Sequence, residues 1–351
     1  MLEDGSVRLL RAAGLADRLD REGLQHGGIY LQFDGDRQHI DFRELVGRTV
    51  TVYAQTEIVK DLIAERAARG GQVHFDVSET AVDQLQSRRP VLRFTDSTGV
   101  GREVECEAIA GCDGFHGICR PAIPAHLLTV TERDYPYAWL GILADVPPST
   151  DELIYAHHER GFALHSLRSP TVSRLYLQVD PDEEIGAWPD ERIWEELQRR
   201  FELPGSGWSL KEGSVLDKSI TPMRSFVSEP MRYGRLFLAG DASHIVPPTG
   251  AKGLNLALAD ISVLAPALDA LLHGDDRPAD AYTATCLSRV WRATHFSWWM
   301  TTMLHRSPGA DDMTTRLQLA QLRYVVSARA AATSLAENYT GYPPLPESVL
   351  P

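Results

Sequence analysis

Cysteine is scarce in this chain, which has four cysteines among 351 residues. Their spacing matches no zinc-binding pattern, and no other cluster of metal ligands stands out, so we expect no metal. A reduced, cytoplasmic protein is the simplest expectation. The four residues are Cys106, Cys112, Cys119 and Cys286.

Positive charge is also in short supply. Lys and Arg number 35 against 48 Asp and Glu, a net charge of −13. Such a field repels nucleic acid and anionic membranes, so neither is expected as a partner. No apolar run reaches about 18 residues, so no transmembrane span is expected. The N-terminus is acidic and then amphipathic, unlike a signal peptide. An anionic substrate would need a dedicated local cation.

The hydrophobic content of 43% is enough for a full core. The order of predicted elements is an α/β segment, a mostly β segment, and then one strand followed by helices. We therefore predict a discontinuous cofactor domain with a β-rich substrate domain inserted in it. The predicted elements are a hairpin over 29–42, a helix over 55–69, short strands over 72–110, a period-2 region over 136–225 with a helix near 190–201, and helices near 250–272, 279–305 and 311–337.

The run from residue 236 to 260 combines features that suit a large, partly anionic cofactor. An apolar strand is followed by a Gly240-Asp241 turn, a Pro247-Pro248 bend and a glycine-rich entry to a long helix. Free amides and the helix dipole at such a helix start favour negative charge. An ordinary strand–loop–helix joint is the alternative, and the glycines, prolines, Asp and Lys in one short loop argue against it.

Four polar side chains are predicted to share one face of a hairpin with a five-residue loop at 169–173. Ser166 and Arg168 are two residues apart, as are Arg174 and Tyr176, so each pair lies on one side of its strand. Arg168 would then pair with Arg174, and Ser166 would face Tyr176. Two guanidiniums and two hydroxyls suit a carboxylate. A solvated polar face accounts equally well for the spacing alone.

Other polar residues are ambiguous from spacing alone. Asp113, at the end of a predicted strand, could accept from a ribose or ribityl hydroxyl, although a turn with a helix cap is the simpler interpretation. Tyr155 and Tyr339 lie far apart in sequence, and they could relay a proton only if their hydroxyls meet. A lone histidine such as His26 is more often structural than catalytic.

Five segments together resemble the flavin-dependent aromatic hydroxylases, and the similarity runs from Met1 almost to the end of the chain. The segments are GDASHIVPPTGAKGLNLA, AGCDGFHG, VTVYAQTE, LIYAHHERGFALHSLRS and AENYTGYP. The resemblance implies FAD, reduced by NADPH or NADH, which forms a flavin C4a-hydroperoxide with O₂. Oxygen would then pass to the carbon ortho to the phenol of 4-hydroxybenzoate, giving 3,4-dihydroxybenzoate. It also implies a homodimer, with the tryptophan-rich C-terminal helices as the contact.

The resemblance further implies a role for each matching residue. Tyr155 would hydrogen-bond the substrate phenol, Tyr339 would extend a proton relay, and His26 would connect that relay to solvent. The Pro248 carbonyl would face the same phenol. The substrate carboxylate would be held by Ser166, Arg168 and Tyr176, and Leu167 would also contact the substrate. The FAD contacts would be Met1, Gln55, Asp113, Arg174, Asp241, Lys252, Leu254 and Asn255. The nicotinamide-cofactor contacts would be His116, Arg120 and Arg224.

One departure from the family pattern lies at the N-terminus. Family members begin with a strand, a GxGxxG turn and a helix that hold the ADP half of FAD. Met1 aligns just past that unit of about 30 residues. We expect a fragment or a misassigned start codon. A truncated, inactive remnant, or FAD binding through the remaining half or a partner, are the alternatives.

The expected fold class is therefore α/β. It comprises an N-terminally truncated, Rossmann-like FAD-binding domain, an inserted β-rich substrate domain and C-terminal helices. The predicted boundaries are 1–134, 135–224 and 225–351. Two functions compete with hydroxylation of 4-hydroxybenzoate. One is a non-catalytic fragment that binds aromatic acids or a partner, and the other is a hydroxylase of another phenolic acid.

Overall fold

The structure is a computed structural model, and it describes residues 1–341. The last ten positions of the predicted third domain, 342–351, lie outside the described residues. The helices are α1 Asp4–Ala12, α2 Asp17–Glu22, α3 Phe42–Val46, α4 Gln55–Ala68, α5 Asp190–Arg200, α6 Gly253–Leu272, α7 Arg277–Leu304, α8 Asp312–Ser327 and α9 Arg329–Thr340. The strands are β1 Leu24–His26, β2 Gly28–Phe33, β3 Asp36–Asp41, β4 Val50–Val52, β5 Ser78–Asp83, β6 Val91–Thr95, β7 Gly101–Glu105, β8 Ile109–Gly111, β9 Thr129–Asp145, β10 Leu153–Ala156, β11 Ala163–Leu167, β12 Ser173–Val179, β13 Ser214–Glu229, β14 Arg232–Tyr233, β15 Leu236–Leu238 and β16 His244–Ile245.

An eight-stranded sheet in the order β16-β13-β9-β12-β11-β10-β2-β3 forms the centre of the fold. All its neighbours are antiparallel except β10 and β2. Successive side chains of each strand point to opposite faces of the sheet, so alternate residues pack into two separate cores. Ile154 and Leu175 pack on one face with α5, whereas Trp139 and Tyr155 pack on the other face with α7, α8 and α9. The second face carries the candidate site.

A smaller sheet leads into the cofactor loop. The buried strand β15 runs parallel to β8 and antiparallel to β14. Its last residue, Leu238, is directly followed by Ala239 and the turn at Gly240. Helix α6 packs on α7 after this loop. The parallel pair and the following helix agree with the predicted α/β class. Two separate antiparallel sheets, β5-β6-β7 and the pair β1-β4, contain the remaining strands.

Several local predictions are confirmed. The hairpin forms as β2 and β3, with Asp34 and Gly35 both at positive φ (52° and 73°) in the turn. The helices predicted over 55–69 and near 190–201 are α4 and α5. The domain boundaries stay a prediction. The eight-stranded sheet includes β2, β3 and β16, which lie outside the predicted substrate domain at 135–224.

The predicted helix over 311–337 is wrong, since two helices occupy this segment. Ala328 has an extended backbone (φ −110°, ψ 114°) that interrupts the helical hydrogen bonding. Its amide closes α8 by donating to the Tyr324 carbonyl, and its own carbonyl accepts from Ala332 as α9 begins. The break redirects α9 towards α3 and brings Tyr339 into the core.

Helix α6 bears on the expectation that the chain has no transmembrane span, which stays a prediction. Among residues 1–341 it is the single helix that is long and apolar enough, with 20 residues and a mean hydropathy of 1.5. Its Leu264 and Leu271 are buried in a cluster with Phe237 and Tyr282. The core helix of a globular protein passes the same test of length and composition.

Candidate active site

Two buried tyrosines meet at the centre of the site. Tyr155 on β10 and Tyr339 on α9 are each 1% exposed, and their hydroxyl oxygens lie 2.6 Å apart. The Tyr155 hydroxyl also donates to the Thr249 carbonyl at 3.2 Å. Burial raises the pKa of both phenols above the ordinary value. Both are therefore neutral at neutral pH, and each can donate and accept a hydrogen bond.

A buried cation lies next to this pair. Lys252 is 2% exposed, and its ammonium pairs with the Glu3 carboxylate and donates to the Tyr339 carbonyl at 3.2 Å. Burial lowers the pKa of Lys252, and Glu3 opposes that shift. Lys252 is the residue predicted to add positive charge near the cofactor, and that role stays a prediction. Glu3, which no sequence signal singled out, partly neutralises the charge of Lys252.

The predicted register of the β11–β12 hairpin is wrong. Ser166 pairs with Arg174, not with Tyr176, and Leu167 pairs with Ser173. The loop is therefore 168–172, because the amides of residues 168 and 169 both donate to the Val172 carbonyl. Arg168 lies in the loop, exposed, and donates to the Thr56 hydroxyl at 3.1 Å.

Ser166, Arg174 and Tyr176 still share one sheet face, since the register changed by an even number of residues. Arg174 Nε donates to the Tyr176 hydroxyl at 3.3 Å. Gly141 leaves room for this pair, because a Cβ there would lie 2.9 Å from the Arg174 guanidinium. Leu167 alternates to the opposite face, so only its backbone can serve the site.

The cofactor loop has an open helix start. Gly240, with φ +64°, turns the chain between β15 and the loop. Its amide donates to the buried Asp260 carboxylate on α6 at 2.9 Å. A Cβ on Gly253, the first residue of α6, would meet no atom within 4 Å. The amides of the first turn of a helix have no hydrogen-bond partner within the helix. Unpaired N–H donors of α6 therefore face the open space beside Gly253.

The residues predicted to contact the cofactor differ in exposure and in hydrogen bonding. Asp241 as a whole residue is exposed. Its carboxyl is nevertheless partly withdrawn from water, which raises its pKa. Leu254 is half-buried. Asn255 is fully engaged with the N-terminal segment, accepting from Glu3 N (2.9 Å) and the Ser6 hydroxyl (2.8 Å) and donating to the Met1 carbonyl (3.1 Å). Gln55 begins α4 and is exposed.

The three predicted nicotinamide-cofactor contacts gather around the Phe115 ring. The guanidinium carbons of Arg120 and Arg224 lie 4.7 and 4.9 Å from its centroid, and the His116 ring lies 4.9 Å away. Arg120 also donates to the Ala242 carbonyl at 2.9 Å. Asp113 accepts from Cys119 N at 2.9 Å, which is the turn-capping role weighed from the sequence.

His26, predicted to link the relay to solvent, is buried, whereas Pro248 is exposed. His26 is 1% exposed, and neither ring nitrogen has a hydrogen-bond partner among residues 1–341. Burial lowers the pKa of His26. The Pro248 carbonyl accepts from Ala251 N at 2.9 Å. Thr249, which no sequence signal singled out, supplies the carbonyl that faces Tyr155.

The chain is similar in sequence and in fold to known proteins. Residues 1–297 match the FAD binding domain family. The chain is 46% identical to the p-hydroxybenzoate hydroxylase of Acinetobacter baylyi over 98% of this chain and 85% of that protein. It is 26% identical to aklavinone 12-hydroxylase RdmE of Streptomyces purpurascens, over 77% of this chain and 54% of that protein. Among solved structures, p-nitrophenol 4-monooxygenase PnpA from Pseudomonas putida DLL-E4 superposes with a TM-score of 0.80 at 16% identity, covering 97% of this chain and 88% of that chain.

The fold and the site define a flavin-dependent aromatic hydroxylase. The chain belongs to the FAD binding domain family, which confirms the resemblance drawn from the sequence. The residues present fit FAD. The open start of α6 offers amide donors to an anionic group. Ser297 Oγ on α7 is buried with no partner in the described chain, and a Cβ on Gly250 would lie 2.9 Å from it.

Proposed function

We propose that this hydroxylase acts on 4-hydroxybenzoate, giving 3,4-dihydroxybenzoate with O₂ and NADPH or NADH. The buried contact between the Tyr155 and Tyr339 hydroxyls, 2.6 Å apart, carries the proposal. A phenol reacts best with an electrophilic oxygen when its proton can leave, and two neutral phenols in contact offer a path for that proton. The name of the relative at 46% identity supports the choice of substrate.

The proposed roles of the individual residues are those that the family resemblance implies. FAD, when bound and reduced, supplies the activated oxygen. Tyr155 hydrogen-bonds the substrate phenol, and Tyr339 continues the path, with His26 as the proposed link to solvent. Lys252 contributes positive charge. Ser166, Arg168 and Tyr176 hold the substrate carboxylate. Arg168 is the local cation that an anionic substrate needs in a chain of net charge −13. His116, Arg120 and Arg224 contact the nicotinamide cofactor.

Substrate-stimulated NAD(P)H oxidation tests this proposal. The protein, supplied with FAD, is assayed with the 2-, 3- and 4-hydroxy isomers of benzoate, and the product is identified by chromatography. We expect the 4-hydroxy isomer to give the fastest turnover and 3,4-dihydroxybenzoate as product. Faster turnover of the 2-hydroxy isomer would overturn the substrate and favour a hydroxylase of another phenolic acid.

We also propose a cytoplasmic homodimer without nucleic-acid or membrane partners. An apolar stripe on α8 supports the dimer: Met313, Leu317 and Tyr324 are 63%, 62% and 55% exposed and lie on one helix face. An exposed apolar stripe of this kind suits contact with a second copy. Sedimentation analysis of the wild type and of Leu317→Glu tests it, since the variant should sediment as a monomer.

A further inference from the structure

Helix α7 presents three buried polar side chains to the active site. Ser297, Thr301 and His305, the residue that follows α7, are spaced four apart, so they lie on one side of the helix. All three are 0% exposed. They face the loop that holds Thr249 and the sheet that holds Tyr155. None belongs to the predicted site set.

Thr301 uses its hydroxyl outside its own helix. It donates to the Thr249 hydroxyl at 2.8 Å, and both residues are 0% exposed. Buried threonines in helices usually bond the carbonyl four residues earlier. Thr294 on the same helix does so, donating to Val290 O at 2.8 Å. Thr301 instead fixes the residue whose carbonyl accepts from Tyr155 at 3.2 Å.

His305 holds the last turn of α7 in place. Trp139 Nε1 lies 2.6 Å from His305 Nε2, and an indole N–H can only donate, so Nε2 is the unprotonated nitrogen. Nδ1–H then donates to the Thr301 carbonyl at 3.0 Å. Burial lowers the pKa of His305 to about 3, so the ring stays neutral. The backbone at Thr301 is thereby tied to the sheet.

We propose that Thr301 is a positioning residue for the hydroxylation. Through the Thr249 hydroxyl it fixes the Thr249 carbonyl, which competes with Tyr339 and the substrate for the single proton of the Tyr155 hydroxyl. With that proton on the Thr249 carbonyl, the Tyr155 oxygen is left to accept from the phenol of 4-hydroxybenzoate. This inference rests on the proposed function.

Loss of the Thr301 hydroxyl should change the ionisation of the bound substrate. When Thr249 loses its tie to Thr301, its carbonyl shifts away from Tyr155. The Tyr155 proton is then free to be donated to the bound phenolate. A hydrogen bond to the charged form of a group favours that form, so the bound phenol becomes more acidic. The effect appears in the ionisation of the bound substrate, which a purely structural role of Thr301 leaves unchanged.

The experiment compares Thr301→Val with the wild type, both loaded with FAD. Carbon-13-labelled 4-hydroxybenzoate is titrated by NMR in its bound state. We expect the midpoint of the bound phenol to fall by about half a pH unit or more, roughly a threefold change in its ionisation constant. Thr301→Ser, which keeps the hydroxyl, should restore the wild-type midpoint. Thr249→Val removes the acceptor from the other side and should reproduce the shift.

Thr294→Val is the matched control, since it removes a buried hydroxyl from the same helix without touching Thr249. An unchanged midpoint in both Thr301→Val and Thr249→Val overturns the inference, as does an equal shift in Thr294→Val. The wild-type arm reports separately on the proposed function. Failure of the wild type to bind 4-hydroxybenzoate overturns that function, whereas normal binding with unshifted variants overturns the role of Thr301 alone.

Discussion

Burial decides what each ionisable side chain in the site can do. Tyr155 and Tyr339 stay protonated because burial removes the water that would stabilise a phenolate, which raises the pKa of both phenols. Lys252 is equally buried but pairs with Glu3 and keeps a partner for its charge. One side of the site thus holds two neutral phenols in contact, and the other holds a cation paired with a carboxylate. The substrate itself must bring the group that ionises.

Replacing Tyr155 tests the proton path at the scale of one hydroxyl. Tyr155→Phe should still oxidise NAD(P)H when substrate is added, but hydroxylation should fall by about 10²-fold, because the phenol loses its proton acceptor. Product formed per NAD(P)H consumed is the measurement. Tyr135→Phe is the control, because Tyr135 is a buried tyrosine whose hydroxyl lies 2.9 Å from the Ser225 hydroxyl. Normal coupling in Tyr155→Phe would contradict its role.

Arg168, which the corrected register places in a loop, is the proposed partner of the substrate carboxylate. Arg168→Ala should weaken 4-hydroxybenzoate binding by about 1.5–3 kcal/mol, the usual worth of a hydrogen bond to a charged group. Equilibrium titration of the FAD-loaded protein measures the dissociation constant. Arg316→Ala, an exposed change on α8, should leave it unaltered. If Arg168→Ala binds as tightly as the wild type, the carboxylate lies elsewhere.

At the scale of elements, the turn at Gly240 couples β15 to α6. The backbone has φ +64°, and an added Cβ would lie 3.2 Å from the Ala257 side chain on α6. Gly240→Ala should lower the free energy of unfolding by roughly 1–2 kcal/mol from the left-handed backbone alone. It should also weaken FAD binding, because the turn presents Asp241.

Gly205→Ala separates the two effects. Gly205 also has positive φ (+75°), but an added Cβ meets nothing within 4 Å. Both variants should therefore unfold more easily, whereas FAD affinity, measured by flavin fluorescence, should fall only in Gly240→Ala. Equal FAD affinities in the two variants would show that the turn has no part in holding the cofactor.

Local signals predicted the elements well where the chain decides its structure locally. The β2–β3 turn needs positive φ at Asp34 and Gly35, and the sequence supplies residues that accept it. The register of the β11–β12 hairpin was missed, because two backbone bonds to Val172 close the loop one residue early. The break at Ala328 was missed as well, since alanine carries no stop signal and tertiary packing on α3 imposes it.

The residues of the site also divide into those that the sequence predicted and those that it did not. Tyr155 and Tyr339 were found through family resemblance, but their contact joins residues 184 positions apart, which spacing cannot reveal. Thr249, Thr301 and Glu3 were missed because a threonine or glutamate gives no sign of its partner before the fold exists. Their roles depend on α7 and the N-terminal segment converging on one loop.

At the scale of the whole molecule, several histidines are buried in the neutral state. His165 accepts from Ser149 N at 3.0 Å, and burial lowers its pKa to about 4. Burial lowers the pKa of His305 to about 3. His26 and His157 shift in the same direction. The unfolded chain therefore binds more protons than the folded chain from pH 6.5 down to about 4, and stability falls as pH falls through this window.

The free energy of unfolding should accordingly drop between pH 7 and pH 5. Each of His165 and His305 contributes a loss of about 2 kcal/mol over that interval, at roughly 1.4 kcal/mol per pH unit below 6.5. Carboxyls with lowered pKa values, such as Asp275 at about 2, lose stability only at more acidic pH. Urea unfolding at the two pH values measures the difference. His165→Gln should reduce it by about 2 kcal/mol, and the exposed His126→Gln should not. Equal stability of the wild type at pH 7 and pH 5 would mean that the buried imidazoles carry no such linkage.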